Sequence, residues 1–209
     1  MKKTIMIFII FNMISFCFAD NGSIHIKFYS SRQIKFYENY FTYNGIDYIK
    51  DNDYIEVSIN IDILKKIIQL EYINVEIIRD NIININTTRT AEGGPFIRNY
   101  MDIDIEEGII IKKDTEREPM MKYDPTHPDA IKNGPKAGYV LYPNVFLSEE
   151  YNNLFESIQL YNSIVEYIHI NNIGIIVEKI KMNTFEELDY FEGIKNRLDI
   201  YFKLLYENK

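Results

Sequence analysis

The chain has 209 residues, 46% of them hydrophobic and 14% aromatic, which is enough to bury one substantial core or two small ones. Its formal charge of -8, with no basic aromatic patch to reverse it locally, repels a phosphate backbone and excludes nucleic acid as a partner. Cys17 is the only cysteine, so the chain makes no internal disulfide, and once Cys17 is lost with a leader no thiolate remains for redox or metal chemistry.

The first residues carry Lys2 and Lys3, an apolar run from Ile5 to Phe18 broken at Asn12, and a small residue at Ala19. That is the grammar of a secretory signal over residues 1–19, too short and interrupted to span a bilayer comfortably, so a membrane is touched only through an uncleaved leader. Residues 20–61 read as a β-rich extension. Ile24, Ile26 and Phe28 alternate, Phe41 to Tyr43 and Ile46 to Ile49 flank Asn44-Gly45, and Ile55, Val57, Ile59 and Ile61 alternate again, which predicts a short β-meander.

From Asp62 the period lengthens. Leu64, Ile68, Tyr72, Val75, Ile78, Ile82 and Ile85 recur at steps of three and four, placing one apolar stripe along a helix that ends near Asn86-Thr87-Thr88. A poorer second face carries Ile63, Ile67, Leu70 and Ile77. Gly93-Gly94-Pro95 forces a turn. The runs Phe96 to Ile105 and Ile109 to Lys113 form a hairpin through Glu106-Glu107-Gly108. The segment from Asp114 to Ala137, with four prolines and one glycine, is expected to be an ordered but irregular loop.

Ser148 is the candidate N-cap of a second long helix, with Glu149 and Glu150 suited to its positive end. Leu154, Ile158, Tyr161, Val165, Ile168, Asn172 and Ile175 step regularly by four and three, the spacing of a coiled-coil seam. A final helix is signalled by Thr184-Phe185-Glu186-Glu187 and the apolar residues to Leu205, so residues 174–209 form a helical extension. The fold class is therefore α+β. Long N-proximal and C-proximal helices are expected to pair as a coiled-coil-like bundle around a small β-rich insert, after an N-terminal β-meander. The assembly seam is assigned to Leu64, Ile68, Val75, Ile78, Ile82, Leu154, Ile158, Tyr161, Val165 and Ile168.

No segment announces a substrate. His25 and His169 lack a metal-ligand companion at helical spacing. Asp124, His127 and Asp129 crowd two carboxylates and an imidazole into six residues, the residue types of a metal site or an oriented nucleophile. Pro125 and Pro128 favour turn building instead, because proline restricts its own φ and pushes its predecessor toward extended backbone. Gly93-Gly94-Pro95 is followed by no Lys-Ser/Thr pair and opens no helix, so it is a bend and not a phosphate cradle. No enzyme activity, cofactor, metal or small-molecule substrate is expected.

Several blocks occur in an informative order: Asn81 to Thr90, including Asn84, Thr87 and Thr88; Glu92-Gly93-Gly94-Pro95-Phe96; Tyr123-Asp124-Pro125-Thr126-His127-Pro128-Asp129-Ala130; Gly138-Tyr139-Val140; Pro143-Asn144-Val145; and Glu149-Glu150 with Asn153 and Tyr161. With these, residues 62–173 resemble the bacterial flagellar basal-body rod protein C family. The resemblance implies a structural rod subunit that packs its terminal helices with other rod subunits and with copies of itself, in the periplasm at the flagellar basal body. A periplasmic paralogue serving as a binding or scaffold protein is the alternative. Ile83, Gln159 and Ile164 depart from the residues usual in that family, and the leader conflicts with its usual route of export.

Overall fold

The computed structural model describes residues 6–8, 14–18 and 24–171, and the predicted closing helix lies outside them. Residues 24–171 belong to one compact unit, so the extension and the region after it share a fold. The elements of the described residues, in chain order, are β1 (Met6–Phe8), β2 (Ile14–Phe18), β3 (Ile24–Phe28), α1 (Ser31–Tyr43), β4 (Tyr48–Lys50), β5 (Ile55–Ile59), α2 (Ile61–Ile83), β6 (Asn99–Asp104), β7 (Gly108–Lys113), β8 (Met120–Tyr123), β9 (Tyr139–Tyr142) and α3 (Leu147–Ile170). The first five strands form one antiparallel sheet in the order β1-β2-β3-β5-β4, while β6-β7 and β8-β9 are separate two-stranded sheets. Two stretches of the leader-like segment thus supply strands.

Alternation was read correctly for β3 and β5. Ile24, Ile26, Phe28, Ile55, Val57 and Ile59 all turn to a buried face, while outward Lys27 meets Glu56 across the strands. The expected meander is nevertheless interrupted, because Ser31 to Tyr43 is a helix. Its buried positions Gln33, Tyr37, Tyr40 and Phe41 follow a helical period, and Tyr37 and Phe41 pack on Phe28, with the Tyr37 and Phe28 rings stacked at 4.4 Å. Asn44-Gly45 therefore closes a helix instead of making a hairpin. Asn44 donates through its side chain to the Tyr40 carbonyl, and Gly45 takes a φ of +64°.

The paired coiled-coil bundle is also corrected. A heptad seam buries two residues in seven. On α2 the buried set is Leu64, Ile67, Ile68, Leu70, Glu71, Tyr72, Asn74, Val75, Ile77, Ile78 and Asn81, which covers more than one face. One side of α2 meets α3 and another meets β6, while Tyr37 of α1 reaches its Glu71. On α3 the pairs Ser157-Ile158, Leu160-Tyr161, Ile164-Val165 and Tyr167-Ile168 are likewise buried, and α3 also approaches β2. These helices are interior elements of an α+β fold that, among the described residues, has three helices and several small antiparallel sheets. The N-proximal and C-proximal pair read from the seven-residue steps is only part of that fold, and abundant isoleucine made the seam look narrower than the buried surface is.

Polar bonds set the register of α2 against α3. Asn74 donates to Ser157 at 2.8 Å and Asn81 to Glu150 at 3.1 Å, so an advance of seven residues along α2 matches a retreat of seven along α3. The two run antiparallel. Asn60 caps α2 by accepting from the amides of Asp62 and Ile63. The cap position of α3 is Phe146, two residues earlier than expected, and it offers no side-chain cap; Ser148 lies inside the first turn. Finally, the expected irregular loop after Asp114 contains β8, paired along its length with β9.

Candidate assembly site

Two internal polar clusters and several exposed apolar patches are the features from which a site can be built. The first cluster locks the β6-β7 hairpin onto the helices. Asn81 accepts from the Asn99 amide and donates to the Asn99 carbonyl, each at 2.8 Å, so its side chain behaves as one more residue of strand pairing. Its second donor reaches Glu150, whose carboxylate is fully buried and accepts from the Arg98 guanidinium. Arg98, itself mostly buried, also faces Asp114 at 3.8 Å and Glu149 at 4.0 Å. Arg117 bonds Glu149 at 2.8 Å, and that bond holds its guanidinium above the ordinary range. Asn144, fully buried after the buried Pro143, accepts from the Arg98 amide and donates to the carbonyls of Asp114 and Arg117. Each buried polar atom here has a partner, the condition under which such a network fixes one arrangement of the chain.

The second cluster joins α1 to the other helices. Ser30 and Arg32 both donate to Glu156, at 2.6 and 3.2 Å, and Arg32 also reaches Ser157 at 2.8 Å. Tyr37 donates to Glu71 at 2.8 Å in a fully buried pair. Burial holds the Glu71 carboxyl above the ordinary range, against the opposing pull of Arg32 and of hydrogen bonds from its neighbours. The native state therefore binds a proton more readily than the unfolded chain. Stability supplied by this group is complete at pH below its unfolded value of 4.5 and declines as pH rises through the folded value. Glu71→Gln should flatten that part of the pH dependence, as read by urea unfolding across pH 4 to 8 (about the range in which carboxyl shifts act). An unchanged slope would show that Glu71 is not the titrating group.

The motif positions are structural in this geometry. Asn84 caps the end of α2 on Asp80 and accepts from Thr87. Thr88 donates to Asp129 at 2.7 Å, and Arg89 pairs with the same carboxylate, which lowers its pKa, the Thr88 bond foremost. Asp124 accepts from the amide and hydroxyl of Thr126, and His127 accepts through Nδ1 from the Asp129 amide. The side chains of Asp124 and His127 are thus engaged in turn bonds around Pro125 and Pro128, that of Asp129 is held by Thr88 and Arg89, and among the described residues no group of three or more such side chains is placed to hold a metal. Gly93 and Gly94 take positive φ in a turn closed by Thr90, before Pro95. Gly138 also has a positive φ, and Tyr123 packs so closely against it that a Cβ there would lie 2.6 Å from the ring; Tyr139 meets the same ring edge-on.

Eight of the ten seam positions lie inside the molecule. Leu64, Ile68, Val75, Ile78, Ile158, Tyr161, Val165 and Ile168 are all buried in this one chain, and Ile82 and Leu154 are half-buried. The exposed apolar surface is elsewhere. The neighbouring ends of α2 and α3 present Ile83, Phe146 and Leu147, α3 further presents Phe155, the β8-β9 hairpin presents Met121 and Tyr123, and the β6-β7 hairpin presents Ile105, Ile109 and Ile111. Sequence reasoning did not find Arg98, Glu71, Tyr37, Arg32 or Glu156. A signal was available, since Glu71 and Asn74 interrupt an otherwise apolar helix surface with groups that cannot be buried unpaired. Among the described residues no helix is long and apolar enough to cross a membrane.

No protein-family model matches the chain. A curated protein does: the flagellar basal-body rod protein FlgC of Borreliella burgdorferi is 33% identical over 113 residues, an alignment that takes in 44% of this chain and 74% of that protein.

Proposed function

Because the chain belongs to the FlgC family of flagellar basal-body rod proteins, we propose that it is a structural subunit of the bacterial flagellar rod, working at the basal body in the periplasm and bonding to other rod subunits and to its own copies. The match to a rod protein over three quarters of that protein's length carries this reading. The residues 62–173 act as the rod-like region, residues 20–61 and 174–209 as extensions, and residues 1–19 as the leader. In this proposal the seam residues contribute from within: they hold α2 and α3 in register so that the outer apolar residues Ile83, Leu147 and Phe155 meet neighbours. Burial of such residues drives association at about 25 cal/mol per Å², before entropy losses. No catalytic step is assigned.

A second reading is favoured by one observation. The α1 helix of the extension occupies Glu71, Glu156 and Ser157 on the helical layer. A surface filled in this way by the chain itself suits a periplasmic paralogue that acts as a scaffold. Purified basal bodies from the host separate the two: the chain is expected in the rod fraction, and its deletion is expected to stop filament assembly. Intact motility after deletion, with the protein absent from the rod, would establish the scaffold reading in its place.

A further inference from the structure

Among the described residues the β6-β7 hairpin leaves one strand edge open, and the residues along that edge complement themselves. The hairpin turn is built from Ile105-Glu106-Glu107-Gly108, with Asp104 accepting from the amides of Glu106 and Glu107 and Gly108 at a φ of +80°. Asp114 donates its amide to the Arg98 carbonyl at 2.7 Å, which makes Arg98 and Asp114 a hydrogen-bonded pair. Alternation along the register then makes Tyr100 with Lys112 and Asp102 with Ile110 hydrogen-bonded pairs as well. The backbone groups of Ile109 and Ile111 therefore turn away from β6. In the two-stranded sheet β7 has β6 as its strand neighbour, and the side chains of Ile109 and Ile111 are 45% and 59% exposed. Gly108-Ile109-Ile110-Ile111 has no proline, bulge or charge to blunt pairing.

We propose that this edge pairs antiparallel with β7 of a second copy, about a two-fold axis that passes between the two Ile110 residues. In that register Ile109 faces Ile111 of the other copy through outward backbone hydrogen bonds, and the apolar face begun by Met101 and Ile103 continues across the axis. Two residues further out, Glu107 falls opposite Lys113 of the other copy, twice over by symmetry. This charge match selects a second copy as the occupant, since the acid and the base sit at equal distances on either side of Ile110. The pairing is independent of the rod reading, which basal-body fractionation decides.

The two Ile110 residues form a non-hydrogen-bonded pair, whose Cα atoms lie about 4.5 Å apart in antiparallel sheet, within the range of about 4.4–6.8 Å that a disulfide spans. In the full chain carrying Cys17→Ser, Ile110→Cys should form disulfide-linked dimers on mild oxidation, whereas Ile105→Cys, in the exposed turn, should form far fewer. Sedimentation of the chain without added cysteine should show a concentration-dependent dimer. Glu107→Lys should weaken it by roughly tenfold, because both symmetry-related pairs become like-charged, and adding Lys113→Glu should restore it. A monomer at every concentration overturns the proposal. So does equal cross-linking at positions 105 and 110, or a double charge swap that fails to rescue.

Discussion

Val165→Asp should strongly destabilise the isolated molecule, not merely prevent it from associating. Val165 is fully buried on α3, beside Ile164, Tyr161 and Ile168, which are also sealed from solvent. A carboxylate there, set among buried apolar side chains, must be desolvated or protonated. The cost is about 3–5 kcal/mol, against a total of about 5–15 kcal/mol for a typical domain. Leu147→Asp is the control. Leu147 is 41% exposed at the start of α3, where an added acid also suits the helix end, so its effect on stability should stay within about 0.5 kcal/mol. Urea unfolding at dilute protein concentration separates the cases. Normal stability in the Val165 variant, with a loss confined to assembly, would move the seam back to an interface between subunits.

Glu150→Ala should be the most damaging change in the polar network. It removes the main partner of Arg98 and one of the acceptors of Asn81, in a place where Glu150 is wholly buried and Arg98 is nearly so. Asp114 and Glu149 stand farther from the guanidinium, at 3.8 and 4.0 Å, and do not replace it. Breaking a buried pair from one side costs about 3–5 kcal/mol, because the surviving charge is left in a poor environment. The same physics makes Arg98→Met combined with Glu150→Leu less harmful than either half alone, since neither ion is then stranded. A double-mutant cycle in urea measures this directly. Additive losses in the cycle would show that the two residues do not act as a pair.

The parts of the fold legible from sequence were those in which one period dominates. β3 and β5 alternate cleanly, α2 carries an apolar stripe through five turns, and the Glu106-Glu107-Gly108 turn announces a hairpin. α1 was hidden because its aromatic residues, such as Phe36, Tyr37, Tyr40 and Phe41, are as common in strands as in helices, and because Asn-Gly signals a hairpin as readily as a helix end. β8 was hidden among prolines. Its four residues are all exposed, so no buried face marks them, and only pairing with Tyr139–Tyr142 makes them a strand.

The candidate site was less legible than the fold. Asn81, Asn144 and Asp129 were noticed through their motif, but their work depends on Asn99, Arg98 and Thr88, which come from other elements and meet them only after folding. Glu149 and Glu150 read as equivalent acids at a helix start. The structure separates them, because Glu149 takes Arg117 near the surface while Glu150 is sealed against Arg98 and Asn81. The residues assigned to the seam lie on α2 and α3, and whether an apolar stripe faces its own chain or a neighbour is information that periodicity does not contain.

Native-state hydrogen exchange on dilute, monomeric protein tests most directly whether the apolar faces of α2 and α3 are internal. Slow exchange of the amides from Leu64 to Ile78 and from Ser157 to Ile168, with protection approaching the global unfolding free energy, is the expected result. Rapid exchange of both stretches in the monomer, with protection gained only on assembly, would contradict the account.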